Sequence, residues 1–122
     1  MSGDLLKLSI AAKPEYISAV RMFISAVAAR LDFSINRIDD IRTAVSEGCT
    51  LAMRSLPQNI DIEVIADSSL NVKISASGQT AAGDKDADEF SMMLISAMAD
   101  EVELKKDGDR ICGFEMVFNV LS

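Results

Sequence analysis

Residues 44–52 read Ala-Val-Ser-Glu-Gly-Cys-Thr-Leu-Ala, and the apolar side chains on either side make this stretch the middle of a helix. Ile38, Ile41, Val45, Cys49, Ala52 and Leu56 recur every three or four positions and fall within a narrow arc at about 100° per residue. Ser34 stands where an N-cap hydroxyl is needed. Pro57, which has no N–H to donate, is expected to end the element. Ala44, Glu47, Gly48 and Leu51 lie on the flank of that stripe. The stripe does not require an apolar residue at position 51. Leu51 is therefore expected to fill space beside side chains of another helix, with a surface or interface position as the alternative.

On the N-terminal side, Leu6, Leu8 and Ile10 alternate with Lys7 and Ser9, the period-two pattern of a half-buried strand. Pro14 marks a helix start, and Ile17, Val20, Ile24, Val27 and Leu31 form one helical stripe behind it. On the C-terminal side, Ile60, Ile62, Val64 and then Leu70, Val72, Ile74 alternate about the turn residues Asp67, Ser68 and Ser69, which predicts a hairpin. Residues 77–88 read as a polar loop and Phe90 to Asp100 as a third helix. Val102 and Leu104 predict a short strand, and Asp107-Gly108 a tight turn. The last strand carries Cys112, Phe114, Met116, Phe118 and Val120 on one side.

The order strand, helix, helix, strand, strand, helix, strand, strand, with alternation in the strands, predicts an α+β fold. Residues 1–122 are expected to form a single domain: a two-layer α/β sandwich with a mostly antiparallel five-stranded sheet and three helices on one face. An apolar fraction of 49% argues for a packed core rather than disorder. Nineteen acidic against 12 basic residues, a net charge of −7, disfavour nucleic acid and anionic membrane as partners. The absence of histidine removes the commonest general base and metal ligand. Cys49 and Cys112 belong to no CxxC pair and read as reduced, buried thiols. Met1 to Asp4 carry no basic leader, and no run approaches the ~20 apolar residues of a membrane span, so a cytoplasmic location is expected.

The stretch at residues 44–52 resembles the N-box of the GHKL, or histidine-kinase-like, ATPases of Bergerat fold, in the branch of anti-sigma-factor serine kinases that control sporulation and general stress. Lys13-Pro14-Glu15-Tyr16, Ala19-Val20-Arg21, Ile38-Asp39-Asp40-Ile41-Arg42 and Ala99-Asp100-Glu101-Val102-Glu103-Leu104-Lys105 are similar to that branch as well, and the likeness runs from about Leu6 to Phe118. The resemblance implies a glutamate general base at Glu47 and a magnesium-binding asparagine one turn later, where this chain has Leu51. Magnesium demands oxygen ligands. It also implies an adenine-binding aspartate where this chain has Ala76, leaving Gly78 from the glycines that follow. A glycine-rich phosphate cradle is implied where Asp88-Glu89-Phe90-Ser91 stands, acidic at an expected helix start that should attract anions. The lid between these motifs is shortened to about a dozen residues.

These departures leave Glu47 and Gly78 as vestigial catalytic and cofactor-binding candidates, with no metal ligand and no cofactor expected. The expected function is that of an anti-sigma-factor-like regulatory protein, a pseudo-kinase that binds a sigma factor or an anti-anti-sigma antagonist. Two alternatives stand beside it: a serine/threonine kinase using ATP and Mg through altered boxes, and a non-catalytic subunit pairing with an intact homologous kinase. The phosphorylatable antagonist family does not fit two adjacent helices. Ser18, Arg21, Met22 and Ser25 form a second, mixed face of the first helix and are the partner-binding candidates. The resemblance places Arg21 where the family contacts both partners. The third helix is apolar nearly all round: Phe90, Met93, Leu94 and Ala97 on one face, Met92, Ile95 and Ala99 on another. That pattern suits pocket filling or a homodimer contact, dimerisation being implied by the resemblance.

Overall fold

The computed structural model describes residues 3–108 and 110–120. The N-terminal reading at Met1 and Ser2 lies outside them. The chain runs β1 (Asp4–Ala11), a 3-10 turn (Pro14–Tyr16), α1 (Ile17–Ala28), α2 (Ile35–Met53), β2 (Asn59–Ala66), β3 (Ser69–Ser77), α3 (Lys85–Met98), β4 (Glu101–Asp107) and β5 (Arg110–Asn119). All strand pairs are antiparallel, in the spatial order β1-β2-β3-β5-β4. The expected α+β sandwich and its element order are therefore present.

Alternation in the strands sets the two faces of the sheet. Ile60, Ile62 and Val64, Leu70, Val72 and Ile74, and Phe114, Met116 and Phe118 are buried beneath the helices. On the opposite face the register aligns Lys7, Glu63, Lys73, Glu115 and Glu103 in one row across all five strands. Signs alternate along the row until its last two glutamates, so most neighbours attract across the strands.

The helices differ from the sequence expectations at their ends. Pro14 opens a 3-10 turn, and α1 proper starts at Ile17 and stops before Leu31. Ser34 caps α2 as expected, its hydroxyl accepting from the Arg37 N–H at 3.1 Å. The helix ends at Met53, not at Pro57. Leu56 lies beyond it, 64% exposed and with φ at 49°, so its place on the predicted stripe was accidental. The α3 helix starts five residues before Phe90, at Lys85, capped by the Asp84 side chain, which accepts from Ala87 N–H at 3.2 Å. Its first turn is polar, and a search for apolar periodicity passes over it. Residues 78–84 alone connect β3 to α3, a lid segment shorter than expected.

The β4 strand runs for seven residues. Lys105 pairs with Gly113 and Lys106 with Ile111, a register shift that leaves Cys112 without an opposite partner. This bulge breaks the expected alternation. Ile111 rather than Cys112 packs against the core, and Cys112 is only half-buried, with its Sγ 3.5 Å from the Lys105 carbonyl. Val120 lies past the strand end.

The α2 helix approaches the sheet closely at Gly48. A Cβ built there would stand 2.6 Å from the Phe114 ring and 2.9 Å from Ile74 Cδ1. Gly48→Ala should improve helix propensity by about 1 kcal/mol, but overpacking of this kind costs about 1–3 kcal/mol. The variant is therefore expected to be less stable in urea unfolding, and a gain in stability would show that α2 sits farther from the sheet. Burial pushes the Cys49 thiol up to about 12, which keeps it from forming the reactive thiolate. A thiol reagent at neutral pH should label Cys112 in the native protein and Cys49 only on unfolding, as peptide mapping will resolve.

Candidate functional site

The region that the sequence singled out lies between α2 and α3. These helices are fastened at three places. Near the start of α2, Arg37 Nη1 donates to the Met98 carbonyl at 2.5 Å, and its Nη2 pairs with Asp100 at 2.7 Å. The same guanidinium lies 5.5 Å from the centroid of the Phe118 ring, a cation–π contact. In the middle, Ser91 Oγ donates to Glu47 Oε1 at 2.6 Å. Past the end of α2, Arg54 Nη1 pairs with Asp88 at 2.9 Å and its Nη2 lies 4.0 Å from Glu47. Arginine suits these places because its planar fork reaches two acceptors at once.

Glu47 is therefore a half-buried acceptor between Ser91 and Arg54, rather than a group open to solvent. Leu51 is 2% exposed and belongs to the main core cluster, against which Met92 and Met98 of α3 also pack. It is not a surface residue, and the buried face of α2 is wider than the predicted stripe, taking in Ala44, Gly48 and Leu51. Its hydrocarbon side chain has no oxygen to offer magnesium. Among the described residues no group of three or more Cys, Asp or Glu side chains is placed to hold a metal ion. Ala76 pairs with Ile60 and packs partly against the core.

Gly78 adopts φ of 71°, and a Cβ there would come within 2.8 Å of Gln58 Cβ. The turn it permits leads the chain back across the end of α2. Thr80 and Ala81 donate their N–H groups to the Ser55 carbonyl, and Thr80 Oγ1 donates to Leu56 O at 3.0 Å. Gln79 Nε2 reaches both Ser55 Oγ at 2.8 Å and Ile111 O at 2.9 Å. The connecting segment is thus tied down at both α2 and β5. The expected acidic helix start is present but shifted: Asp84 caps it, Asp86 and Asp88 lie in the first turn, and Glu89 falls in the second. Beside it a groove of about 510 Å³ is lined by Gly83, Lys85, Asp88, Met92, Leu104 and Lys106.

The partner-binding candidates lie together on α1. Ser18, Arg21, Met22 and Ser25 line one open depression of about 440 Å³ with Arg42 of α2, which the sequence reading missed. Ser25 Oγ donates to the Arg21 carbonyl at 2.7 Å and Ser18 Oγ to Glu15 O at 3.4 Å. The hydroxyls are thereby occupied within the helix. Met22, 75% exposed, and the exposed Arg21, without an ion pair among the described residues, remain as the groups facing outward. The rear face of α3, in contrast, is turned inward: Ile95 is fully buried and Met92 and Ala99 pack on the core, as expected of a space-filling face.

An ATPase-type sandwich with an N-box helix at its centre defines a class, and the comparisons agree with it. Residues 10–112 match the histidine kinase-like ATPase domain, and the chain belongs to that family. The serine-protein kinase RsbW of Bacillus pumilus (strain SAFR-032) is 43% identical over 51 residues, which is 42% of this chain and 32% of the relative. RsbW of Bacillus subtilis (strain 168) is 36% identical over 53 residues, 43% and 33% of the two chains. RsbW of Listeria monocytogenes serotype 4a (strain HCC23) is 35% identical over 81 residues, 62% and 52% of the two. The matches cover about a third to a half of the length of these curated relatives. Among the described residues no helix is long and apolar enough to cross a membrane.

The α2–α3 fastening predicts a ranking of stabilities. Arg37→Ala removes a carbonyl bond, an ion pair and an aromatic contact, and is expected to cost about 2 kcal/mol. Arg54→Ala, which removes one close ion pair and a longer 4.0 Å contact but no carbonyl bond or aromatic contact, is expected to cost about 1 kcal/mol. Chemical denaturation that gave the reverse order would place the main attachment of α3 at its N-terminal end.

Proposed function

We infer that this chain acts as an anti-sigma-factor-like regulatory module, binding a protein partner through the α1 face without ATP binding or kinase activity. One observation carries the reading: the glutamate of the N-box accepts from Ser91 at 2.6 Å, one turn from a fully packed Leu51. A general base must reach a substrate proton, and a magnesium site needs oxygen ligands. The engaged Glu47 and the packed Leu51 support a site that supplies neither. The resemblance of residues 44–52 and their flanks to the anti-sigma-factor kinase branch supports a role in sigma-factor regulation, and the depression around Arg21 supports the choice of face. Its exposed Arg21 and Met22, beside an Arg42 already paired with Asp39, suit an acidic, partly apolar surface on a sigma factor or an anti-anti-sigma antagonist. A cytoplasmic location accords with this role.

A second reading is that of an ATP-dependent serine kinase, as the relatives are named. It is favoured by the groove beside Lys85 and Lys106 and by Gly78, which keeps its positive φ. Isothermal titration with ATP and ADP in excess magnesium separates the two. The binding-module reading predicts no heat and an unchanged melting temperature, whereas a nucleotide at a hundred times its Kd adds about 2.7 kcal/mol to stability. Micromolar affinity would put the kinase reading first. With a partner in hand, Arg21→Glu should weaken binding by at least about tenfold, since a buried arginine contact is commonly worth 2 kcal/mol or more. The variant's fold should be unaffected because the side chain is exposed.

A further inference from the structure

The outer face of α3 is covered by nothing in the fold. Phe90, Met93, Leu94 and Ala97 follow the i, i+3, i+4, i+7 spacing of an anchor stripe. Phe90 is 58% and Met93 64% exposed, and Ala97 is exposed beside them. A solvated helix face ordinarily carries polar residues there, and an apolar stripe rimmed by charge marks an interaction site.

The rim states the sign of the partner. Asp88 and Asp100 are already paired with Arg54 and Arg37. Asp86 and Glu89 point outward next to the stripe with no ion pair among the described residues. The sole basic residue of α3, Lys85, lies one turn before Glu89 and lines with it and Lys106 the groove on that side of the helix, but it is about 100° around the helix from Asp86, so the rim stays acidic by one charge on α3. A second copy laid on this face would bring the same two acids and the same net charge of −7, so self-pairing gains no charge compensation.

We propose that the outer face of α3 is a docking surface for a basic amphipathic segment of another protein, with apolar anchors set between Phe90 and Met93 and lysine or arginine facing Asp86 and Glu89. This surface is separate from the α1 face. Both helices pack on α2, but α1 lies along the β1 edge of the sheet, beside Leu5 and Leu6, and α3 lies over the β4 edge. The two faces also differ in charge, one presenting arginine and the other acid, and select different partners.

The probe is a labelled synthetic helical peptide with leucines at i, i+3, i+4 and i+7 flanked by lysines, compared with a scrambled peptide of the same composition. Fluorescence anisotropy should show at least about tenfold tighter binding of the amphipathic peptide, a preference abolished by Phe90→Ser with Met93→Ser. Asp86→Lys with Glu89→Lys should transfer the preference to a glutamate-flanked version. Far-UV circular dichroism and melting temperatures of these surface variants should match the parent. Equal binding of ordered and scrambled peptides, or binding indifferent to Phe90 and Met93, would overturn the proposal. So would concentration-dependent dimerisation in sedimentation that Met93→Lys removes, because the stripe would then belong to a second copy. The outcome is independent of whether the chain binds nucleotide.

Discussion

The attachment of α3 to α2 is the constraint on which the rest of the site depends. Arg37 at one end, Ser91 and Glu47 in the middle, and Arg54 at the other end hold the two helices together along their length. Each contact alone is modest, since partly exposed ion pairs contribute little. Acting at three separated points, they fix both the position and the rotation of α3. Met92, Ile95 and Met98 are thereby directed at the core, and Phe90 and Met93 are left outside.

Two further features follow from that arrangement. With the rear of α3 seated beside Leu51, Glu47 is held half-buried between Ser91 and Arg54. With only residues 78–84 available between β3 and α3, the connecting chain has no slack to form a mobile cover. It is held by Ser55, which is 4% exposed: its carbonyl accepts from the Thr80 and Ala81 N–H groups, and its hydroxyl accepts from Gln79 and itself donates to the Ala52 carbonyl. The fold leaves to solvent the charged outer face of the sheet and the outward sides of two helices, one at each edge of the sheet. Protein contact is the chemistry such surfaces can perform.

The sheet and the middle of every helix were legible because alternation and a three-to-four-residue repeat both record burial directly. Ser34 shows the same for a cap, where one hydroxyl four residues before Ile38 suffices. The ends were less legible. Lys85 to Glu89 is helical but polar, so no apolar signal marks it, although Asp84 as a cap followed by acids was a usable sign. Leu56 continued the repeat by chance in a segment that had already turned into a left-handed conformation. Cys112 kept the alternation on paper while a bulge shifted it off register. Resemblance to a known family located Glu47 and Leu51 but could not supply what surrounds them. Ser91 lies 44 residues from Glu47, Asp88 34 from Arg54 and Asp100 63 from Arg37, and no local pattern encodes pairings at such separations.

Hydrogen exchange of the native protein, followed by mass spectrometry with and without excess Mg-ATP, tests the closed α2–α3 junction most directly. The account predicts slow exchange through residues 44–52 and 91–98 that is the same in both conditions, because the helices are already packed against each other. Rapid exchange of α3 that becomes slow only when nucleotide is present would contradict it, showing that α3 opens and that the space beside Leu51 is a binding site after all.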